Sequence, residues 1–152
     1  MSNELLFRGV APALVTPFTA EDALDESAFQ RLIDRQINGG VSALVVLGTT
    51  GENPTITDAE RHRLVDWAVA ATDGRVPVIV GTGTNNTDQS VAFSEAAVAA
   101  GADGLLVVGP YYNKPSQAGF AAHVETIAEA TDVPILLYNV PGRTSFNIAP
   151  ET

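Results

Sequence analysis

An unbroken apolar run that breaks straight into a polar, glycine-bearing turn occurs three times in this chain, and no other feature restricts its fold as tightly. Pro134 to Leu137 run into Tyr138-Asn139-Val140-Pro141-Gly142-Arg143-Thr144. Ala43 to Leu47 run into Gly48-Thr49-Thr50-Gly51-Glu52, and Leu105 to Val108 into Gly109-Pro110-Tyr111-Tyr112-Asn113. Continuously apolar strands belong to a parallel sheet that is covered by helices. Such sheets place their chemistry just beyond the C-terminal ends of the strands. Three strand ends with polar cargo imply one shared mouth, and an enzyme.

The segments between these runs have helical periodicity. Val10 to Thr16 reads as a first strand ending at Pro17. Asp25 caps a helix in which Phe29, Ile33 and Ile37 recur every fourth residue until Gly39-Gly40 stops it. After the second strand, Ala43 to Leu47, the capping box Thr57-Asp58-Ala59-Glu60 opens a helix carrying Leu64, Trp67, Ala68 and Ala71. Pro77 to Val80 is a third strand, and Thr87 begins an alanine-rich helix that Gly101 terminates. Leu105 to Val108 is a fourth strand, Ser116 to Thr131 a helix with Phe120, Val124 and Ile127 inside, and Ile135 to Tyr138 a fifth strand. Ala149-Pro150-Glu151-Thr152 looks like the opening of a further helix.

Four strand–helix units and a fifth strand, repeating at about 30 residues, describe a parallel α/β protein. Two architectures fit. A five-strand doubly wound sheet would be complete at this length. A (β/α)8 TIM barrel needs about 250 residues, so residues 1–152 would be the N-terminal half of one barrel domain. Polar groups after several strands favour the barrel, because an open sheet concentrates its ligand at one switch point.

Composition removes several classes of chemistry. With no cysteine, disulfides, thiolate metal sites and cysteine nucleophiles are excluded. His62 and His123 lie in helical stretches without a partner at metal-ligand spacing and read as surface or helix-face residues. A net charge of −10 argues against nucleic acid. No segment resembles a secretion signal or a membrane span, so a cytoplasmic protein is expected.

The strand-end residues each have a plain and a chemical interpretation. The Gly48–Glu52 turn can hold a carboxylate through its amides, or be polar filler. Gly81-Thr82-Gly83-Thr84-Asn85-Asn86 has the outline of a dinucleotide loop but lacks its third glycine and follows the wrong strand, so no nucleotide cofactor is expected. Tyr111 and Tyr112 are packing aromatics, unless one projects into the mouth or toward a partner subunit. Arg143 is a surface ion-pair residue or a two-pronged carboxylate clamp.

Taken in order and at their separations, the Gly48–Glu52, Gly81–Gly83, Pro110–Pro115 and Tyr138–Thr144 segments resemble those of the 4-hydroxy-tetrahydrodipicolinate (dihydrodipicolinate) synthase family, within the N-acetylneuraminate lyase superfamily. The likeness extends over the whole chain and matches the N-terminal half of that family. It implies a TIM barrel without metal or organic cofactor, assembled as a dimer of dimers. It also implies a lysine that forms a Schiff base with pyruvate, whose enamine attacks L-aspartate 4-semialdehyde on the diaminopimelate route to lysine. By the same resemblance Thr49 and Tyr138 belong to a proton relay, and Tyr112 is its third member, inserted into the neighbouring subunit's site. Thr50 is implied to bind the pyruvate carboxylate, and Arg143 the semialdehyde carboxylate.

The resemblance places the Schiff-base lysine on a sixth strand, beyond Thr152. Lys114 is the only lysine here and sits in a proline-flanked loop, so these 152 residues alone are expected not to condense pyruvate. A truncated piece of a longer enzyme is the leading expectation. A pyruvate-dependent sugar-acid aldolase of the same superfamily and a non-catalytic half-barrel subunit are the alternatives. The family's lysine-effector site maps to Asn53, Pro54, Asp58, Arg61, Asn85 and Gln89. Most of these depart from the types that lysine-sensitive members carry, so weak or absent feedback inhibition is expected.

Overall fold

The computed structural model describes residues 5–152. Four parallel strands form one sheet: β1 (Leu44–Val46), β2 (Val78–Gly81), β3 (Gly104–Val108) and β4 (Ile135–Tyr138). They lie in the order β1-β2-β3-β4, with Val45 opposite Ile79, Val80 opposite Leu105, and Leu106 opposite Leu136. The crossovers are α2 (Asp58–Thr72), α3 (Thr87–Ala99) and α4 (Gln117–Glu129), while α1 (Glu26–Asn38) precedes β1.

Helix starts follow local chemistry closely. Asp25 accepts the Ala28 amide at 2.8 Å to open α1. That bond, with a second from the Ser27 hydroxyl, holds the Asp25 carboxyl below its ordinary range. In the capping box of α2, Thr57 accepts the Glu60 amide at 3.3 Å, and the Glu60 carboxylate accepts the Thr57 amide at 2.9 Å. α3 begins at Thr87 as expected, with Asn86 as its cap, and Ser116 caps α4. Each such cap contributes about 1 kcal/mol.

Sheet order decides the architecture. Consecutive strands are neighbours without a reversal, and the helices pack on each other in sequence. One continuous core joins Phe29 and Ile33 of α1, Leu64 and Ala68 of α2, Ala97 of α3 and Ile127 of α4 to the outward side chains of all four strands. The other face carries Ala43, Val45 and Ile79, with Leu106 and Leu136 half-buried beside them. A doubly wound sheet would carry helices on both faces and reverse its strand order. This chain has the one-sided, singly wound layering of a barrel.

The expected first strand is not a strand. Val10 to Thr16 keeps an isolated parallel bridge, Ala13 to Val45, with bonds from Leu14 N to Val45 O at 2.9 Å and from Val45 N to Pro12 O at 3.0 Å. Pro12 has no amide hydrogen, so a ladder cannot continue through it. The segment still runs alongside β1 and places Thr16 under the loop that follows that strand. Ala149 to Thr152 forms a turn, closed by Thr152 N donating to Ala149 O at 3.0 Å. Among the described residues no helix is long and apolar enough to cross a membrane.

His123, expected as a surface or helix-face residue, lies on the buried face of α4. It is 6 % exposed and faces α3, where Nδ1 lies 2.9 Å from Thr87 Oγ1 while Nε2 has no partner. His62, by contrast, is exposed, with Nδ1 2.7 Å from the Asp58 carbonyl oxygen. Burial pushes the His123 imidazole below its ordinary value of 6.5. The unfolded chain therefore binds the proton more tightly than the folded one, and stability is lost as pH falls below the unfolded value. The midpoint of urea unfolding is expected to drop between about pH 7 and about pH 5.5, and His123→Gln is expected to flatten that slope. An equally steep slope in the variant would rule His123 out as its source.

Candidate active site

All four strands end toward one cleft of about 340 Å³, within the range of small-molecule sites. After β1, Leu47 turns the chain with φ 57°, and Gly48 caps a single 3-10 turn, Thr49–Gly51. Glu52, at φ 59°, then leads into a second such turn, Asn53–Thr55. Thr49 lines the cleft; Thr50 is exposed and does not. Thr16 Oγ1 donates to the Gly51 carbonyl at 2.8 Å and fixes this loop from beneath.

After β2, the glycines serve packing. A Cβ on Gly81 would lie 2.0 Å from the Leu47 oxygen, and one on Gly83 would lie 2.5 Å from the Val108 nitrogen. Neighbouring strands crowd these backbones, which gives the glycine-rich outline a packing reason. A buried hydroxyl network holds the loop to α3. Ser94 Oγ donates to Thr82 Oγ1 at 2.9 Å, and the Thr84 amide donates to Ser90 Oγ at 2.9 Å.

After β3 the two tyrosines part company. Tyr111 lines the cleft, whereas Tyr112, at φ 70°, is 88 % exposed and points away. Asn85 and Asn113 brace this loop with side-chain bonds of 3.3 and 2.7 Å. Lys114 is exposed, at φ 48°, and is not among the cleft residues.

After β4, half-buried Tyr138 faces the cleft, and the expected polar, glycine-bearing turn takes the form of a single helical turn, α5 (Pro141–Thr144). Arg143 lies on that turn and lines the cleft. The turn is anchored by Thr144, which is 2 % exposed and donates from Oγ1 to the Phe146 carbonyl at 2.8 Å. Phe146 packs on Phe120 with ring centroids 5.3 Å apart.

Of the five site residues expected from the sequence, Thr49, Tyr138 and Arg143 meet at one cleft, while Thr50 and Tyr112 lie outside it. The positions mapped to an effector site are not separate from this cleft, since Asn53, Pro54, Asp58, Arg61 and Gln89 also line it. Arg61 is 5 % exposed on the inward stripe of α2, one turn before Leu64 and Val65. Its signal in the sequence is a charged residue at an apolar-stripe position. Burial lowers its affinity for the proton, and Asp58 acts in the opposite sense. Arg61 and Arg143 against Asp58 leave the cleft cationic in a chain of net charge −10, so it favours an anionic ligand. Among the described residues no group of three or more acidic, histidine or cysteine side chains could hold a metal ion.

The profile of the Dihydrodipicolinate synthetase family matches residues 6–152. The 4-hydroxy-tetrahydrodipicolinate synthase of Salinibacter ruber is 82 % identical over 152 residues, which cover 100 % of this chain and 50 % of that protein. The synthase of the same name from Thermotoga neapolitana is 54 % identical over 97 % of this chain and 50 % of its own length. The crystal structure of dihydrodipicolinate synthase from Thermotoga maritima superposes with a TM-score of 0.94 at 50 % identity, over 97 % of this chain and 50 % of that one. The chain spans about half the length of the curated relatives it matches.

Proposed function

The chain belongs to the dihydrodipicolinate synthetase family, and on that premise we propose that it supplies the proton-transfer and carboxylate-binding side of a 4-hydroxy-tetrahydrodipicolinate synthase active site. The observation that carries this is the meeting of Thr49, Tyr138 and Arg143, from the ends of two strands, at one cationic cleft. In the proposed reaction a lysine amine condenses with the pyruvate carbonyl and releases water. Loss of a C3 proton gives an enamine, whose C3 bonds to the aldehyde carbon of L-aspartate 4-semialdehyde. The aldehyde oxygen takes a proton as that bond forms.

The Tyr138 and Thr49 hydroxyls move protons to and from these intermediates. A phenolic hydroxyl both donates and accepts a hydrogen bond, which suits it to pass a proton between groups in the cleft. Tyr112 points away from its own cleft, which suits a side chain reaching the cleft of a second copy. Arg143 offers paired donors matched to a carboxylate. Thr50 follows Thr49 in the same 3-10 turn, outside the cleft residues, and its proposed role is to bind the keto-acid carboxylate through the amide and hydroxyl it exposes.

Lys114 is exposed outside the cleft and is not the Schiff-base amine. Borohydride reduction of the full-length protein with pyruvate is expected to trap an adduct on a lysine outside these 152 residues. A trapped adduct on Lys114, or no adduct at all, would refute the proposal. Arg143→Ala is expected to raise KM for the semialdehyde by about 10- to 100-fold, the loss of a charge-assisted bond pair. A KM within about threefold of wild type would remove Arg143 from substrate binding.

A further inference from the structure

The geometry points to Arg61 as a positioning residue that holds the Thr49 loop in register with the end of β2. Three elements converge on its guanidinium. Nη1 donates to the Gly81 carbonyl at the end of β2 at 3.0 Å, and Nη2 donates to Asn53 Oδ1 in the loop after β1. The guanidinium carbon sits 4.0 Å from the centroid of the Phe93 ring on α3. The side chain is 5 % exposed, and its Nε is buried without a partner.

As a device for stability this arrangement is poor. Burying a cation is costly, and an apolar side chain of similar volume often does as well or better. No carboxylate is in ion-pair contact with Arg61, since the ion pair found among the described residues is Arg75 with Asp34. What the fork does supply is a fixed distance between two strand ends. Within residues 48–56 the backbone bonds are local, closing one 3-10 turn on the next. The side-chain anchors on that loop are Thr16 to Gly51 from beneath and Arg61 to Asn53 from the side. Thr49 therefore keeps its place at the cleft through a clamp whose outer jaw is Arg61.

The positional part of this inference stands on the coordinates, and its kinetic part rests on the proposed function. Backbone hydrogen exchange on the full-length protein tests the first. Arg61→Met and Asn53→Ala are each expected to speed exchange at residues 48–56 by about tenfold or more, as for loss of a hydrogen bond to a charged group. β2 amides should keep wild-type rates, and the double variant should be no faster than either single one. Phe93→Leu, which spares both hydrogen bonds, should lower the thermal midpoint without loosening the loop. Asn53→Ala severs the same bond from a half-buried position, so the test survives if Arg61→Met does not fold.

In turnover of pyruvate and semialdehyde, Asn53→Ala, which cuts the same bond and keeps the Arg61 charge, should lower kcat by about tenfold and leave KM for the keto acid within about threefold. In a Thr49→Val background it should cost nothing further. Unchanged exchange at 48–56, or loosening spread evenly through α2 and β2, would overturn the assignment. Absent turnover by the wild type would instead count against the proposed function, and the exchange result would still decide the role of Arg61.

Discussion

A Gly81→Ala protein is expected to lose more than about 3 kcal/mol of stability, a penalty at or beyond the upper end of ordinary overpacking. The added methyl would lie 2.0 Å from the Leu47 carbonyl oxygen and 2.6 Å from its carbon, both backbone atoms of the adjoining strand end. Neither can withdraw, because β1 and β2 are hydrogen-bonded neighbours and Leu47 is already held at φ 57°. The Gly81 carbonyl would be displaced as well, taking the Arg61 bond with it. Gly142→Ala provides the contrast. Nothing lies within 4 Å of a Cβ at that position, which is in a helical turn, so the change is expected to be neutral or to stabilise by up to about 1 kcal/mol. Thermal midpoints of the two variants measure the difference. A Gly81→Ala midpoint within a few degrees of wild type would show that the strand ends can separate.

The second large effect is chemical. Tyr138→Phe in the full-length enzyme is expected to reduce kcat by about 10²- to 10⁴-fold, the range for loss of a positioned proton-transfer group. The ring of Tyr138 is half-buried at the end of β4 and stays in place when the hydroxyl is removed, so stability should change little. KM for pyruvate should be nearly constant, because the proposed ligand of the keto-acid carboxylate is Thr50 and not Tyr138. Steady-state kinetics alongside the unfolding midpoint separate the two possibilities. Turnover within about threefold of wild type would exclude the Tyr138 hydroxyl from the proposed proton transfer.

Particular elements show how far a linear reading reaches. The capping box at Thr57 and Glu60 and the cap at Asp25 were legible because both partners lie within four residues. The fifth expected strand, Ile135 to Tyr138, matches β4 residue for residue. Val10 to Thr16 was misread because apolar content says nothing of whether each amide has a bond to make, and Pro12 has none. The histidines divided differently. Both lie on helices, yet His123 meets α3 and His62 meets solvent, a distinction set by neighbours far along the chain.

The site was legible in part for the same reason. Tyr138 ends β4, and Thr49 and Arg143 lie within a few residues of the ends of β1 and β4, so the direction of the strands brings them to the cleft. Tyr111 and Tyr112 are adjacent, and only the left-handed turn at Tyr112 sends one inward and the other out. Arg61 was legible as a mapped effector position but not as a buried cleft residue, because a cation on an amphipathic helix ordinarily faces water. Its burial depends on Gly81, Asn53 and Phe93, which come from other elements.

The amino-acid sequence by itself determined the alternation of strands and helices from α1 to β4, the points where α1 to α4 begin, and the chemical inventory at the strand ends. All of these follow from interactions within a few residues. Only the tertiary structure decided that the sheet winds one way under a single helical layer, that Pro12 ends a ladder, that Tyr111 and not Tyr112 faces the cleft of its own chain, and that Arg61 bridges two strand ends. Each of those depends on pairings between segments distant in the chain, where backbone donors, steric room and desolvation are settled together.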